Sequence, residues 1–294
     1  MIGRVLKKHG GFYYVDAENI LYECKLSGKQ KHWQRDRIVA GDYVQFDADN
    51  GHQDCGRGYI TSIVKRENFI PRPGIANIDQ ILIVAAIKEP TYDFLLLDKL
   101  IALARYYAIP PILCFSKMDL ASSDDEKIIA TYYKESRTDL RFISKNSSLE
   151  CIRQLCHGKT TVLTGNSGVG KSSLINRLLE KEVQTVQDIS QKLNRGKNTT
   201  RTAEFFAFSD GFIVDTPGFS ALDFPVEVSK FDLKMLYPEY VESGVYCRFN
   251  NCIHINEPDC EVKERVSENI FSKERYLNYK KLYHELEERD KMRK

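Results

Sequence analysis

Residues 1–70 alternate short apolar runs with turn-forming residues. The runs are GRVLK, GFYYVD, ILYECKL, DRIVAGDYVQFD and RGYITSIV, and pairs such as Gly10-Gly11 and Asn50-Gly51 interrupt them. An apolar residue at every second position is typical of a strand with one buried face. Five short strands within about seventy residues therefore predict a small N-terminal β-barrel domain.

The pattern changes after the linker FIPRPG, residues 69–74. Residues 80–87, QILIVAAI, are continuously apolar, as in a parallel strand buried on both faces. Residues 95–108 are apolar at helical spacing, and Pro110-Pro111 ends that helix before the next apolar run, ILCF. Helices and strands then alternate as far as TTVLT, and EFFAF and GFIVD predict a hairpin. This alternation predicts an α/β domain with a mostly parallel sheet, for which we expect the bounds 75–225.

Residues 226–294 are irregular at first and then helical. The final stretch, ERYLNYKKLYHELEERDKMRK, places four large side chains on one helical face: Tyr276, Tyr279, Tyr283 and Leu286. We interpret it as an amphipathic helix packed on its own domain. The chain is therefore predicted to contain three domains, at 1–70, 75–225 and 226–294.

Composition narrows the class of protein. The 294 residues are 42% hydrophobic and 29% charged, which is typical of a folded globular protein. No apolar run approaches the ~20 residues of a membrane-spanning helix, and the N-terminus lacks the apolar segment of a signal peptide. We therefore expect a cytoplasmic location and no membrane partner. The net charge of +2 says little, and the mildly basic chain ends fit either solvated surface or nucleic-acid contact.

The stretch TTVLTGNSGVGKSSLINRLL predicts a strand, a glycine loop and a helix. Gly165 to Ser172 matches GxxxxGK[ST], in which glycines turn backbone N–H groups toward phosphates and the helix N-terminus adds its dipole. Lys171 would contact the β- and γ-phosphates, and the Ser172 hydroxyl would bind Mg²⁺. The predicted GTP-binding residues of this loop are Gly165, Asn166, Ser167, Gly168, Val169, Gly170, Lys171, Ser172 and Ser173.

The tetrapeptide DTPG follows the predicted strand GFIVD and matches the DxxG element found at the γ-phosphate. Asp215 would hold Mg²⁺ through water, and the N–H of Gly218 would sense the γ-phosphate. Between this element and the phosphate loop lies QKLNRGKNTTRTAE, which has the composition of a loop. We expect a threonine of this stretch to complete the magnesium shell, and we prefer Thr200 to Thr199.

The stretch CFSKMDL, residues 114–120, has the pattern of a guanine-reading segment. Asp119 can accept the N1–H and the exocyclic amine of guanine, which adenine does not present, and the stem of Lys117 can lie on the base. Alone, SKMD would fit a polar loop with a chance aspartate. Its place after a predicted strand favours guanine binding, with five residues involved: Ser116, Lys117, Asp119, Ser144 and Lys145. Base segment, phosphate loop, switch loop and DxxG then follow the standard GTPase order, circularly permuted.

Four residues near the C-terminus have the spacing of a metal site. CRFNNCIHINEPDC gives C-x4-C-x-H-x5-C, and three thiolates with an imidazole form a closed tetrahedral set typical of one structural Zn²⁺. The ligands would be Cys247, Cys252, His254 and Cys260. Cys151, Cys156 and His157 are set aside, because a helix would direct them to different faces. The scattered cysteines are interpreted as small buried hydrophobes: Cys24, Cys55, Cys114 and Cys151.

Together these motifs resemble the circularly permuted bacterial GTPases called ribosome small-subunit-dependent GTPase A. The motifs that carry the resemblance span nearly the whole chain: IPRPGIANIDQ, SKMD, GNSGVGKSSLIN, GKNTTR, DTPGF and CRFNNCIHINEPDC. The resemblance implies a multi-domain fold with an N-terminal OB-fold barrel, a central α/β circularly permuted P-loop GTPase and a C-terminal, mostly α-helical zinc-binding domain. It also implies hydrolysis of GTP to GDP, slow alone and stimulated by the small ribosomal subunit, during late maturation of that subunit.

Three positions depart from the pattern of that family or of GTPases in general. Ser116 replaces the usual Asn of the base segment, and its side chain is shorter. Asn198 stands where the family often has a His assigned to subunit-stimulated hydrolysis; an amide cannot act as a general base, although it can orient a water. Phe219 follows DTPG in place of a water-positioning Gln, which agrees with slow intrinsic turnover. The residues expected to act in hydrolysis are Lys171, Asn198, Thr200 and Gly218.

The barrel sequence favours contact with ribosomal RNA. In SGKQKHWQRDR, Trp33 lies among basic residues suited to phosphates and a stacked base, although a core Trp beside a solvated loop fits equally well. We expect the partners to be GTP or GDP and the small subunit with its rRNA, and we expect a monomer. Two alternatives remain open: a nucleotide-gated RNA-binding module in which hydrolysis is incidental, and a GTPase that acts on a non-ribosomal RNA or protein.

Overall fold

The computed structural model describes residues 1–27, 38–49, 56–179, 203–216 and 223–293. The chain divides into two compact units. The first comprises Met1–Ile81, Leu149–Thr164 and Lys171–Ala221, and the second comprises Leu82–Ser148, Gly165–Gly170 and Leu222–Lys294. These units cut across the three domains expected from the sequence, whose bounds stay a prediction.

Strands dominate the beginning of the chain and helices its end. The strands of the described residues are β1 (Ile2–His9), β2 (Phe12–Ala17), β3 (Ile20–Leu26), β4 (Tyr43–Asp49), β5 (Gly56–Ile63), β6 (Phe69–Ile70), β7 (Ile75–Ala76), β8 (Gln80–Ala86), β9 (Pro111–Ser116), β10 (Asp139–Phe142), β11 (Thr160–Thr164), β12 (Glu204–Phe208) and β13 (Gly211–Asp215). The α-helices are α1 (Phe94–Tyr106), α2 (Asp125–Tyr133), α3 (Glu150–Cys156), α4 (Lys171–Leu179), α5 (Pro238–Gly244), α6 (Glu261–Ser267) and α7 (Lys273–Lys291). None of these helices is long and apolar enough to cross a membrane.

The first five strands close into a barrel in the first unit. Their order is β1-β2-β3-β5-β4; β3 and β5 run parallel, and the other neighbouring pairs run antiparallel. In β2 every second residue is buried, so its apolar side chains join one core, which contains Val5, Tyr13, Val15, Cys24, Val44, Phe46 and Ile60. The predicted N-terminal barrel is confirmed, and a closed five-stranded barrel is the architecture of an OB-fold.

The first unit also contains the strand that enters the phosphate loop. All five residues of β11 are buried. β11 and β13 run parallel, with Thr160 opposite Phe212 and Leu163 opposite Asp215, and β12 and β13 form the predicted antiparallel hairpin. The two turn residues of that hairpin, 209 and 210, have φ values of 47° and 61°, the type I′ geometry that matches the twist of the flanking strands.

In the second unit the sheet strands follow the order β10-β9-β8, and β9 and β10 are parallel. β8 is buried along its whole length, as the continuous apolar run of a covered parallel strand requires. Helix α1 begins after Asp93, whose Oδ1 accepts a hydrogen bond from the N–H of Leu95 at 2.9 Å. The predicted α/β architecture is confirmed.

The C-terminal part of the second unit packs around α7. The predicted face of this helix is buried, since Tyr276, Tyr279, Tyr283 and Leu286 are at most 7% exposed. The core that they enter also contains Ala102 of α1, Tyr240 of α5 and Val262 of α6. The helix therefore packs on its own unit, as expected.

The interpretation of one scattered cysteine is wrong. Cys24 and Cys114 are buried as expected, but Cys151 is exposed. The short helix α3 buries Ile152 and Cys156 instead, so its neighbouring position 151 faces solvent. Cys55 lies outside the described residues.

Candidate functional site

Ser116 joins the predicted base-reading segment to the phosphate loop. It ends β9, and its side chain is buried. Its Oγ lies 2.6 Å from the carbonyl oxygen of Val169 and 3.2 Å from that of Ala85. Because a hydroxyl has one proton to donate, we assign the donated bond to the shorter contact, with Val169. The serine therefore reaches the phosphate loop within the second unit, although it is shorter than the usual asparagine.

Asp119 lies at the surface in a 3₁₀ turn, Met118–Leu120. Its Oδ1 accepts a hydrogen bond from the backbone N–H of Lys145 at 3.1 Å, and the N–H of Met118 donates to the carbonyl of Ile143 at 3.1 Å. The hydrogen bond from Lys145 is the main cause of a lowered pKa of Asp119, to which the charges of Lys145 and Lys117 add. The two predicted base-binding segments are thus brought together, with Asp119 ionised and exposed.

Lys117 and Ser144 donate hydrogen bonds to residues that lie outside the GTPase motifs. Lys117 has a left-handed φ of 58°, and its Nζ donates to the carbonyl oxygen of Glu89. The N–H of Ser144 donates to Oγ of Ser147 at 2.9 Å. Sequence reasoning missed Glu89 and Ser147, because neither lies at a position that a GTPase motif specifies.

The phosphate loop has a backbone that depends on glycine. Gly165, Gly168 and Gly170 have φ values of 139°, 79° and 97°, which residues with a Cβ rarely adopt. A Cβ at Gly165 would lie 2.0 Å from the carbonyl oxygen of Val84. Ser167 and Gly168 are exposed. The loop therefore has the close-packed, glycine-dependent form that GxxxxGK[ST] predicts.

Lys171 and Asp215 both belong to the first unit. Lys171 begins α4, and Ser172 and Ser173 are exposed in the same turn. Asp215 ends β13, close to the carboxyl end of β11. Burial lowers the pKa of Lys171, and the Asp215 carboxylate acts in the opposite direction. A cation, hydroxyls, a carboxylate and a helix N-terminus are the groups that a magnesium-bound phosphate requires.

The expected switch residues lie outside the described residues. They are Asn198, Thr199, Thr200, Gly218 and Phe219. The basic loop around Trp33 also lies outside the described residues: it contains Lys29, Lys31, Arg35 and Arg37. The roles assigned to these residues stay predictions.

The four predicted metal ligands converge in the second unit. All four are buried, and one ligand atom from each lies within 4.8 Å of the others. His254 Nδ1 is 3.6 Å from Cys247 Sγ and 3.4 Å from Cys260 Sγ, and the two sulfurs are 3.9 Å apart. Tetrahedral bonds of about 2.3 Å to sulfur and about 2.0 Å to nitrogen give ligand separations of about 3.8 Å (S–S) and about 3.5 Å (S–N). The cluster can therefore hold a metal ion.

Hydrogen bonds fix the loop that carries the cluster. Tyr276 Oη donates to the carbonyl of His254 and Tyr279 Oη to that of Ile253, both at 2.7 Å. The carboxylate of Glu257 accepts from three backbone N–H groups, those of Ile253, Ile255 and Asn256. Partial burial opposes ionisation of Glu257, but these bonds outweigh it and lower its pKa. The spacing of cysteines and histidine gave no sign of these supporting residues.

Burial disfavours the charged forms of three of the ligand groups, those of His254, Cys252 and Cys260. It lowers the pKa of His254 to about 4, with the charge of Lys234 acting in the same direction. It raises the pKa of Cys252 to about 12 and also raises that of Cys260. A neutral imidazole can bind a metal directly, whereas the thiols must lose protons to do so. Metal binding would therefore release protons from this loop.

A buried ionic cluster joins α1 to the C-terminal helices within the second unit. Arg275 of α7 pairs with Asp98 of α1 and, at 3.0 Å, with Glu239 of α5, and all three side chains are at most 4% exposed. Tyr132 Oη donates to Asp98 at 2.5 Å, and Asn278 donates to Tyr132 at 2.7 Å. Burial raises the pKa of Asp98 to about 6 against the opposing effect of Arg275. Sequence reasoning missed this cluster.

Two models of known protein families match this chain. The family model described as RsgA GTPase matches residues 63–225, and the one described as RsgA N-terminal domain matches residues 2–60. The chain belongs to the RsgA GTPase family. This RsgA GTPase is therefore a GTP hydrolase, and its family uses Mg²⁺ with GTP.

Relatives of this RsgA GTPase match it from end to end. Proteins named "Small ribosomal subunit biogenesis GTPase RsgA" are 38% identical in Bacillus cereus (strain ATCC 10987), over 98% of both chains, and 39% identical in Clostridium botulinum (strain Eklund 17B), over 99% of both. The crystal structure of YloQ, described as a circularly permuted GTPase, superposes with a TM-score of 0.82 at 32% identity, over 98% of this chain and 95% of that one. YjeQ from Thermotoga maritima gives 0.79 at 31%, over 97% and 98%. The resemblance inferred from the motifs is confirmed, together with the permuted GTPase fold.

Proposed function

We propose that this RsgA GTPase binds the small ribosomal subunit and hydrolyses GTP to GDP during late maturation of that subunit, slowly alone and faster on the subunit. The printed name of its relatives, small ribosomal subunit biogenesis GTPase, supports the biological part. The hydrogen bond from Ser116 to Val169 supports the nucleotide part. It joins the base-reading segment to the phosphate loop in one unit, although 53 residues separate them.

Asp119 would read guanine. Its ionised, exposed carboxylate can accept the N1–H and the exocyclic amine of the base, two donors that adenine lacks. The backbone at Ser144 and Lys145 would meet guanine O6, and the stem of Lys117 would cover the base. Ser116 would position the phosphate loop and would not contact the base, because its hydroxyl is already engaged inside the protein.

The phosphate loop would hold the triphosphate through residues 165–173, with Lys171 at the β- and γ-phosphates. Magnesium, when bound with GTP, supplies charge neutralisation between these phosphates. Ser172, Thr200 and Asp215 would hold it. Gly218 would sense the γ-phosphate, and Asn198 would orient the attacking water without taking its proton.

The cysteine–histidine cluster would hold one structural zinc ion. Three sulfurs and one imidazole nitrogen fill a tetrahedral shell, which leaves no position for a substrate. The ligand separations of 3.4–3.9 Å support this assignment. Cys247, Cys252, His254 and Cys260 would thus stabilise the loop between α5 and α6.

The outer regions would bind ribosomal RNA, and the protein would act as a cytoplasmic monomer. We propose a barrel domain at residues 1–70, a GTPase domain at 75–225 and a zinc-binding domain at 226–294. Exposed cations on the barrel strands support RNA contact: Lys8 lies over the ring of Tyr13, and Lys25 over that of Phe12.

A GTPase assay with and without purified small subunits tests this function. We expect slow release of phosphate from the protein alone and a rate at least ~10-fold higher with saturating small subunits, as occurs when a partner completes a GTPase site. Large subunits at the same concentration serve as the control. Equal rates with small and large subunits would contradict the proposal.

One sequence feature favours a second function, a nucleotide-gated RNA-binding module. Asn198 replaces the His that the family often has, and an amide is a poor proton acceptor. This alternative predicts that subunits bind differently to the GTP and GDP forms but leave the hydrolysis rate unchanged. Crosslinking in cells tests a third possibility, a GTPase that acts on a non-ribosomal RNA or protein. Crosslinks to that molecule in place of ribosomal RNA would favour this possibility over the other two functions.

A further inference from the structure

Arg4 of the barrel strand β1 is buried against residues outside the barrel. It is 7% exposed. Its Nη1 donates to Oγ1 of Thr160 at 2.5 Å, and its Nη2 donates to the carbonyl oxygen of Asn77 at 2.7 Å. Thr160 begins β11, the strand that leads into the phosphate loop. All of these residues belong to the first unit.

Three aromatic rings surround the same guanidinium. Its carbon lies 5.3 Å from the ring centre of Tyr43 in the barrel, 5.5 Å from that of Phe205 in β12 and 5.2 Å from that of Phe212 in β13. A guanidinium within ~6 Å of a ring face is attracted to it. Arg4 therefore contacts all three of the strands β11, β12 and β13.

Three neighbouring groups partly offset the effect of burial on the Arg4 guanidinium. Burial lowers the pKa of Arg4, but Tyr43, Asp79 and Asp16 act in the opposite direction. Asp79 also fixes Thr160, whose N–H donates to Asp79 Oδ2 at 2.6 Å. The planar fork of an arginine can donate in two directions while it stacks on rings, which a lysine cannot do.

We infer that Arg4 is a positioning residue through which the barrel controls the strands that lead to the phosphate loop and to Asp215. This inference rests on the proposed function. Arg4 contacts the amino end of β11 and the second residue of β13, and these strands are in register from Thr160–Phe212 to Leu163–Asp215. A sheet register changes only in whole steps, each of which turns side chains to the other face. A small displacement at Arg4 therefore moves both strands together.

The opposite ends of these strands carry the chemistry of the proposed site. β11 ends at Thr164, immediately before the phosphate loop, and β13 ends at the proposed magnesium residue Asp215. Phe205 of β12 follows Thr200 by five residues in the sequence. A partner that binds the barrel can thus act on the timing of hydrolysis without contact to the nucleotide.

The test compares the variants Arg4→Met and Arg4→Lys with wild type at saturating small subunits. For Arg4→Met we expect the subunit-stimulated kcat to fall by roughly 10-fold, within the usual range of coupling between sites, with the KM for GTP unchanged. Arg4→Lys keeps the charge but lacks the fork, so it should regain thermal stability and keep the low stimulated kcat. Ile2→Ala, on the same strand, is the control: it shortens an exposed side chain and should leave the stimulated kcat at saturation unchanged.

The outcomes separate this inference from the function on which it rests. A wild-type protein that small subunits do not stimulate would overturn both. A responsive wild type with normal stimulated kcat in Arg4→Met, or full recovery in Arg4→Lys, would overturn the inference alone. A lower melting temperature with unchanged stimulated kcat below that temperature would show that Arg4 acts only on stability.

Discussion

Replacing Ser116 with alanine removes one hydroxyl from the interior and adds no atom. The side chain is buried, and its Oγ lies 2.6 Å from the carbonyl of Val169 in the phosphate loop. The change leaves Asp119 and its hydrogen bond from Lys145 untouched. It therefore tests whether the base segment and the phosphate loop depend on each other.

The structure sets the size of the expected effect. One proton makes one bond, so a single hydrogen bond is lost, although two carbonyl oxygens lie within reach. Loss of a buried hydrogen bond costs about 1 kcal/mol, and up to about 3 kcal/mol where the partner is left unsatisfied. Each ~1.4 kcal/mol changes a binding constant ten-fold. We expect GDP to bind roughly ten-fold more weakly, toward the lower end of this range. The effect stays small because the bound phosphates themselves help to hold the loop.

Titration with a fluorescent GDP analogue measures this change, and thermal unfolding shows whether stability falls as well. Ser123→Ala is the matched control, since it removes an exposed hydroxyl a few residues further along the same segment. If Ser116→Ala binds GDP within about two-fold of wild type and of this control, the contact with Val169 does not organise the loop. The role assigned to Ser116 would then be wrong.

Three further changes probe the other parts of the molecule. Asp119→Asn should weaken GTP binding by roughly 100-fold or more and shift preference toward xanthine nucleotides, since an amide cannot accept both guanine donors; competition with XTP measures this, and an unchanged preference would refute the assignment. Cys260→Ala should abolish tight binding of one zinc ion and raise hydrogen exchange in residues 247–260, because metal binding is coupled to folding of the loop. Metal analysis that still finds one ion per chain would contradict this. Cys151→Ala, which replaces an exposed cysteine, is the control. Asp98→Ala should lower the free energy of unfolding by about 3–5 kcal/mol, because it leaves the buried Arg275 with Glu239 alone. Denaturant unfolding measures this loss, and Asp139→Ala, at an exposed position, is the control. An equally small loss in both variants would show that the pair of Asp98 and Arg275 contributes little.

Much of the fold and of the site could be predicted because their signals are local. The strands β2 and β4 alternate buried and more exposed positions at period two, and each barrel strand is short enough to be recognised by itself. The glycine loop, SKMD, DTPG and the C-x4-C-x-H-x5-C spacing are complete within a few residues each. The four metal ligands lie within a segment of fourteen residues, CRFNNCIHINEPDC, so a single loop brings them together.

The contacts that escaped prediction join residues far apart in the sequence. Ser116 meets Val169 across 53 positions, Arg4 meets Thr160 across 156, and Arg275 meets Asp98 across 177. A lone buried Arg or Ser has no local pattern, because the partner that allows its burial is fixed only by the tertiary fold. Cys151 illustrates the converse: on a helix as short as α3, hydrophobic character alone does not reveal which side faces the core.

The distance in sequence between Arg4 and Thr160 also has a consequence for biosynthesis. A ribosome that adds ~5–20 residues per second needs roughly 8–30 s to extend the chain from one to the other. All five barrel strands have been made by residue 63, well before β11 exists. During that interval Thr160, Phe205 and Phe212 have not been made, so Arg4 of the nascent barrel lacks three of its contacts until synthesis has passed residue 212.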